Sequence, residues 1–384
     1  MNWVFDITTL LWVLPLVFAL GWVASRVDIR QWRRSEQQAP KAYFRGLNFL
    51  LNEQQDQAID AFIEAVQHDP ETSELHFALG NLFRRRGEYD RAVRVHEHLL
   101  ARSDLSHADR QRAQHGLALD FLKAGLLDRA EAALLKLDNT PFATEAQLAL
   151  LAIFERSRDW EKAINIATRL EAGQHGSFTG RRAHYHCEVA EAARQSGETD
   201  KALKSLETAQ QLAPESPRAY LAISAIQAAQ NDNAKALDTL FKLARRAPAT
   251  TPLLAQRLVV LATDDDSRER VRQLLHVADQ QAPSLDVTLA LSAIASESAN
   301  DRLLNHLSRT PSLAAVASLV KQDATSEPAP ALTHPLVAQA IERAASPLMR
   351  YRCAACGFEA KTYFWQCPGC QSWDSFPARR VEEL

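Results

Sequence analysis

Hydrophobic and polar positions fall into four successive patterns along the chain. From Ile7 to Ser25 the run ITTLLWVLPLVFALGWVAS carries no charged side chain, and at about 1.5 Å rise per residue it nearly spans the hydrocarbon core of a bilayer. From residue 39 to 322 apolar positions recur at helical spacing, one face at a time, between short polar turns. Then comes DATSEPAPALTHP, from Asp323 to Pro335, too rich in Pro and small polar residues to continue a helix. A short amphipathic helix over Pro335 to Ala345 leads into a terminal stretch dense in Cys, Trp and Phe. The pattern predicts a membrane helix, a long helical array, a tether and a small end module.

The first segment has the flanks of a membrane helix. Trp3, Trp12 and Trp22 include one near each end, and Pro15 is tolerable in lipid. A cleaved signal peptide would want positive charge ahead of the apolar run, where only Asp6 is charged, and the small residues near Ala24 make a poor cleavage site. Arg26, Arg30, Arg33 and Arg34 follow against a single Asp28. By the positive-inside rule the N-terminus faces outward and the bulk of the chain is cytoplasmic.

Within the array, Gly46 and Gly80 stand thirty-four residues apart, and Ala58 and Ala92 repeat the interval. This is the tetratricopeptide period. In the first unit Ala42, Gly46 and Phe49 lie on one helix, Ala58, Phe62 and Ala65 on the next, and Pro70 closes the turn. The small residues at 46 and 58 let two helices approach closely, while Phe62 fills the groove between neighbours. The second unit keeps Gly80, Phe83 and Ala92 around the turn Gly87-Glu88-Tyr89-Asp90. Ala130, Ala163, Ala202 and Ala236 open the second helices of later units. Spacings of 38, 33 and 39 residues from Ala92 to Ala202 imply loop insertions near Ser103 to His107 and Gly173 to Gly180. After Pro248 the segments 252–279, 285–297, 301–308 and 312–322 read as helices of two further, divergent pairs. A compact catalytic bundle has no need of such a period, so the array is expected to be an all-α tetratricopeptide-repeat superhelical solenoid, a scaffold that binds proteins.

Composition adds exclusions. Net charge is −3 over 384 residues, so nothing global argues for nucleic acid. Arg84, Arg85, Arg86, Arg91 and Arg94 read as a solvated helix face. Asp264 to Asp266 reads as a loop and helix N-terminus rather than a metal site. His96 with His98, and His184 with His186, are two residues apart, a spacing that does not converge on one metal, so surface or groove positions are expected. No phosphate loop, HExxH helix or nucleophile elbow occurs, and the chain is not expected to be an enzyme.

Four of the five cysteines fall in two C-x-x-C pairs, Cys353 with Cys356 and Cys367 with Cys370. Two tight turns at this spacing can bring four sulfurs around one ion, zinc or iron, since thiolates accept either. A segment this short needs a metal or crosslinks to fold, and a reducing compartment argues against disulfides. Gly357 suits the positive φ such a turn requires. Tyr351, Phe358, Phe364, Trp365, Trp373 and Phe376 supply an apolar shell. Cys187, in a helical pattern, reads as a buried small hydrophobe.

Residues 350–377 resemble a rubredoxin-type or zinc-ribbon module. Rubredoxins usually place Gly after the fourth cysteine, where this chain has Gln371. An N-terminal anchor with a basic flank, tetratricopeptide repeats and the ending YRCAACGF…WQCPGCQSW together resemble the lipopolysaccharide assembly protein B family (LapB/YciM) over essentially the full chain. The resemblance implies a single-pass bacterial inner-membrane adaptor with its N-terminus in the periplasm. Such an adaptor would help the membrane protease FtsH degrade the deacetylase LpxC, and would coordinate other lipopolysaccharide synthesis or transport proteins. It implies an organisation of anchor (1–25), basic juxtamembrane segment (26–38), repeats (39–322), linker with connecting helix (323–348) and rubredoxin-like metal module (349–384). Competing expectations are an electron carrier built on an iron site, a generic membrane-tethered scaffold, and a ribbon that reads nucleic acid. Arg350, Arg352, Lys361, Arg379 and Arg380 line the module, unlike small acidic electron carriers, and make a poor DNA footprint.

Overall fold

The computed structural model describes residues 15–23, 41–69, 72–294, 298–323 and 335–384. Most of the expected span over 7–25, its arginine flank, Pro70 and residues 324–334 of the tether lie outside these. Residues 15–23 are helical and exposed. Among the described residues no helix is long and apolar enough to cross a membrane.

The chain divides into two compact units, 1–157 and 158–384. The first contains α1 (41–51), α2 (Gln55–His68), α3 (Ser73–Arg86), α4 (Tyr89–Ala101), α5 (His107–Lys123), α6 (Leu127–Leu135) and α7 (Ala143–Ser157). The second contains α8 (Trp160–Ala172), α9 (Thr179–Gln195), α10 (Thr199–Leu212), α11 (Pro217–Ala229), α12 (Asn233–Arg246), α13 (Thr251–Leu261), α14 (Asp265–Gln281), α15 (Leu285–Ile294), α16 (Ala299–Arg309), α17 (Leu313–Asp323) and α18 (Pro335–Ala345). One antiparallel ladder, β1 (Tyr351–Arg352) with β2 (Glu359–Ala360), follows.

The repeat positions do what their side chains dictate. Ala58, Ala92, Ala130, Ala163, Ala202 and Ala236 are all fully buried. Four residues further on, Phe62, His96, Leu134, Ala167, Leu206 and Leu240 are buried groove fillers. A Cβ on Gly46 would lie 2.9 Å from the Phe62 ring, so only glycine admits that contact unshifted. Five residues before each alanine the backbone turns left-handed: Gly87, Gly125 and Gly197 do so freely, while Glu53, Arg158 and Asn231 do so with φ of 59°, 58° and 63°. The insertions near 103–107 and 173–180 fall between helices, apart from the first residues of α5 and α9.

The expected single helix over 252–279 is instead a hairpin. Asp264 accepts the Ser267 N–H at 2.9 Å and the Ser267 hydroxyl accepts the Asp264 N–H, a reciprocal cap that restarts the helix. In unit two each pair receives the first helix of the next. Thus α11 packs through Ala219, Ile223 and Ile226 on α9 and α10, and α15 joins the core of α13 and α14 through Val287, Ala290 and Leu291.

Candidate metal centre

The cysteines sit on two equivalent turns. The Gly357 N–H donates to Cys353 O and the Gln371 N–H donates to Cys367 O, both at 2.8 Å, with φ of 78° and 60°. Gln371 therefore takes the left-handed conformation that glycine takes in the first turn. The substitution noted in the sequence leaves the second turn's backbone unchanged in kind. The Cys353 N–H donates to Phe358 O and the Cys367 N–H to Ser372 O, tying each turn to the chain that leaves it.

All four sulfurs lie within 4.8 Å of one another. Across the turns Cys353 Sγ is 3.8 Å from Cys370 Sγ, and Cys356 Sγ is 3.7 Å from Cys367 Sγ. A tetrahedron with metal–sulfur bonds of about 2.3 Å has edges of about 3.8 Å. These residues can hold one ion of that kind. Cys353 and Cys367 are buried, whereas Cys356 and Cys370 reach the surface.

The thiols do not ionise alike. Burial pushes the Cys353 thiol up, but the Ser375 hydroxyl and the N–H groups of Cys356 and Ala355 outweigh it and bring the group down to about 6. Cys356 has the Phe358 N–H favouring its thiolate, yet hydrogen bonding to Cys370, burial, and bonding to Cys353 and Cys367 push it up to about 12. Four thiolates this close repel, and a bound cation removes that repulsion. Cys187 behaves as the sequence leads one to expect: it is buried, and desolvation raises it to about 11.

The module is seated on first helices of the pairs in unit two, with Trp160 added from α8, a second helix. His184 on α9 is buried, stacked on Trp373 at 4.7 Å, with its Nε2 2.7 Å from Asp374 Oδ2. Trp160 and Tyr185 meet Trp373 edge-on at 6.3 and 6.0 Å, and Leu253 of α13 packs on the cluster of Tyr351, Cys353, Cys367 and Phe376.

The C-terminal residues close the arrangement. Glu383 accepts the Leu285 N–H at 2.6 Å at the start of α15, and Glu382 accepts the N–H groups of Leu313 and Ala314 and the Ser312 hydroxyl at the start of α17. Arg380 forks onto Asp286 at 2.9 and 3.1 Å and lies over the Tyr351 ring. Carboxylates at helix N-termini meet unsatisfied N–H groups and the positive end of the dipole. None of these contacts was singled out from the sequence.

One histidine expectation is corrected, and His96 fills a groove position as expected. His184 is buried by the module rather than lying on the surface. In unit one His96 is buried too, its Nδ1 2.6 Å from the buried Asp120 carboxylate, which also takes Arg84 Nη1 at 2.8 Å. Gly80 and Gly116 leave the space: a Cβ on either would meet the His96 ring at 2.7 or 2.6 Å. Arg84 is thus not part of a free solvated face. The missed signal is that His96 stands thirty-four residues after the groove filler Phe62.

A family model described as a rubredoxin metal binding domain matches residues 351–377, and tetratricopeptide repeat models match 75–108 and 189–250. Lipopolysaccharide assembly protein B of Escherichia coli strain K12 is 30% identical, covering 97% of this chain and 98% of its own length. Its namesake from Haemophilus influenzae is 27% identical over 94% and 96%. Among solved structures, a tetratricopeptide repeat protein from Parabacteroides merdae aligns at 15% identity and a TM-score of 0.33, over 67% of this chain and 99% of that one.

Proposed function

Because the chain belongs to the lipopolysaccharide assembly protein B family, we propose that it is a non-enzymatic adaptor of lipopolysaccharide assembly held at the bacterial inner membrane by residues 7–25. On this reading it presents the deacetylase LpxC to the membrane protease FtsH and so limits lipid A synthesis. Cys353, Cys356, Cys367 and Cys370 hold one zinc or iron ion, which crosslinks the two turns and neutralises their thiolates. The bulk of the chain is cytoplasmic, where the thiols stay reduced.

The observation that carries this reading is the full-length relationship, which takes in repeats and metal module in the same order. The structure adds a physical reason for a scaffold role: the four-cysteine module is bound into the repeat array through His184, Arg380, Glu382 and Glu383. The test is deacetylase turnover in cells. Deleting the gene should lengthen the deacetylase half-life several-fold, with restoration by the intact chain and not by a chain lacking residues 1–25. An unchanged half-life contradicts the reading.

A further inference from the structure

Every first helix from α11 to α17 packs into the groove of the pair before it; α17 itself lies on α15 and α16 through Ala314, Ala315 and Leu319 against Leu285, Leu289 and Leu303. The α17–α18 pair is the last of the series. Between these two helices runs a groove of about 790 Å³, with a floor of Ala314, Ala317, Val320, Leu336, Ala338 and Met349. No described helix fills it. Three of these six side chains are alanine, the residue that also opens helix-receiving positions elsewhere in the array, and Leu336 is 70% exposed beside them.

Charge narrows the occupant. Lys321 on α17, Lys361 on the metal module and Arg380 line the groove against one carboxylate, Glu342. Arg380 is satisfied by Asp286, so Lys321 and Lys361 set the sign of the surface. We propose that this groove receives an amphipathic helix of a partner protein, small and apolar on its inner face and flanked by acidic residues, in the place the first helix of a further repeat would take. Such a helix buries the open apolar face at the end of the solenoid, which repeat arrays otherwise protect with a polar cap. The proposal extends the adaptor reading by naming a docking surface; it does not depend on which protein is degraded.

The test is site-specific photocrosslinking in cells, with a photoreactive residue at Ala338 or Ala317 of the full chain and the attached peptide mapped by mass spectrometry. The expected adduct is a helical segment of another protein with acidic residues beside small apolar ones. A synthetic peptide of that segment should bind the purified chain, at least tenfold more weakly after Lys321→Glu with Lys361→Glu, and with its affinity falling as salt rises. Circular dichroism and metal content of the variants should match the parent. No adduct, an adduct to lipid or to a second copy, or binding indifferent to the two lysines overturns the proposal. Deacetylase turnover is a separate readout, so failure here and failure of the adaptor reading are distinguishable.

Discussion

His184 Nε2 and Asp374 Oδ2 lie 2.7 Å apart although 190 residues separate them in sequence. The bond joins α9 to the loop just after the fourth clustered cysteine, Cys370, and the His184 ring stacks on the neighbouring Trp373. Asp374 is half exposed, so the bond contributes only about 1 kcal/mol, with a similar amount from the stack. His184→Ala should loosen the module, read as faster hydrogen exchange over 349–384 with unchanged exchange in the repeats of unit one. His184→Phe keeps the stack and should lose about half as much.

Metal binding should be strongly pH-dependent. Hydrogen bonding among the crowded sulfurs and burial push the Cys356 thiol up, so binding must expel a proton from the set. Affinity should therefore rise with pH between about 6 and 8, and calorimetry in buffers of different ionisation enthalpy should show protons released. Cys353→Ser with Cys356→Ser should remove metal binding and abolish regulation while leaving far-ultraviolet circular dichroism nearly unchanged, because the helices do not contain the site. Retained regulation would show that the module is dispensable.

In unit one, His96 and Gly116 should be energetically coupled. Gly116→Ala drives a methyl into the imidazole and should cost about 1 to 3 kcal/mol. His96→Ala leaves Asp120 buried with Arg84 alone and should cost about 3 kcal/mol. The double variant should cost less than the sum, since the methyl then enters space the ring vacated. Additive costs in denaturant unfolding would contradict the packing described.

Removing the last three residues should destabilise α15 and α17 together. Each loses a carboxylate cap, at about 0.5 to 2 kcal/mol apiece. Glu382→Gln with Glu383→Gln keeps hydrogen-bond acceptors but loses charge, so its effect should be smaller. Thermal unfolding of the full chain distinguishes the two variants.

The left-handed turn position supplies a gain-of-stability prediction. Glu53→Gly and Arg158→Gly should each stabilise by up to about 1 kcal/mol, because the strain of φ near 59° is relieved. Gly125→Ala should do the reverse. Only three of the six turn positions carry glycine, which is why the sequence shows the repeat more clearly in its alanines.

Local spacing made the rest legible. Two C-x-x-C pairs specify two turns whatever surrounds them, and the buried alanines recur at 33 to 39 residues, so the four-cysteine cluster and the repeats are legible in the sequence. The Asp264 restart is half visible in the sequence: the acidic run has the character of a helix N-terminus, yet the apolar periodicity continues through it and predicts one helix. The seating of the module was not visible at all. It depends on successive repeats bringing Trp160, His184 and Leu253 beside a loop near the chain's end, a superposition no sequence interval encodes. His96 takes a groove position, as expected, but its partner was not legible: the position is apolar elsewhere in the array, and the pairing with Asp120 lets an imidazole replace the phenyl ring.

The central claim is that four thiolates hold one ion and thereby fold the module that the repeats receive. X-ray absorption at the metal edge of the purified full chain tests it most directly. One ion per chain with four sulfurs at about 2.3 Å is the predicted result. A shell containing nitrogen or oxygen, or metal well below one equivalent in folded protein, would contradict it.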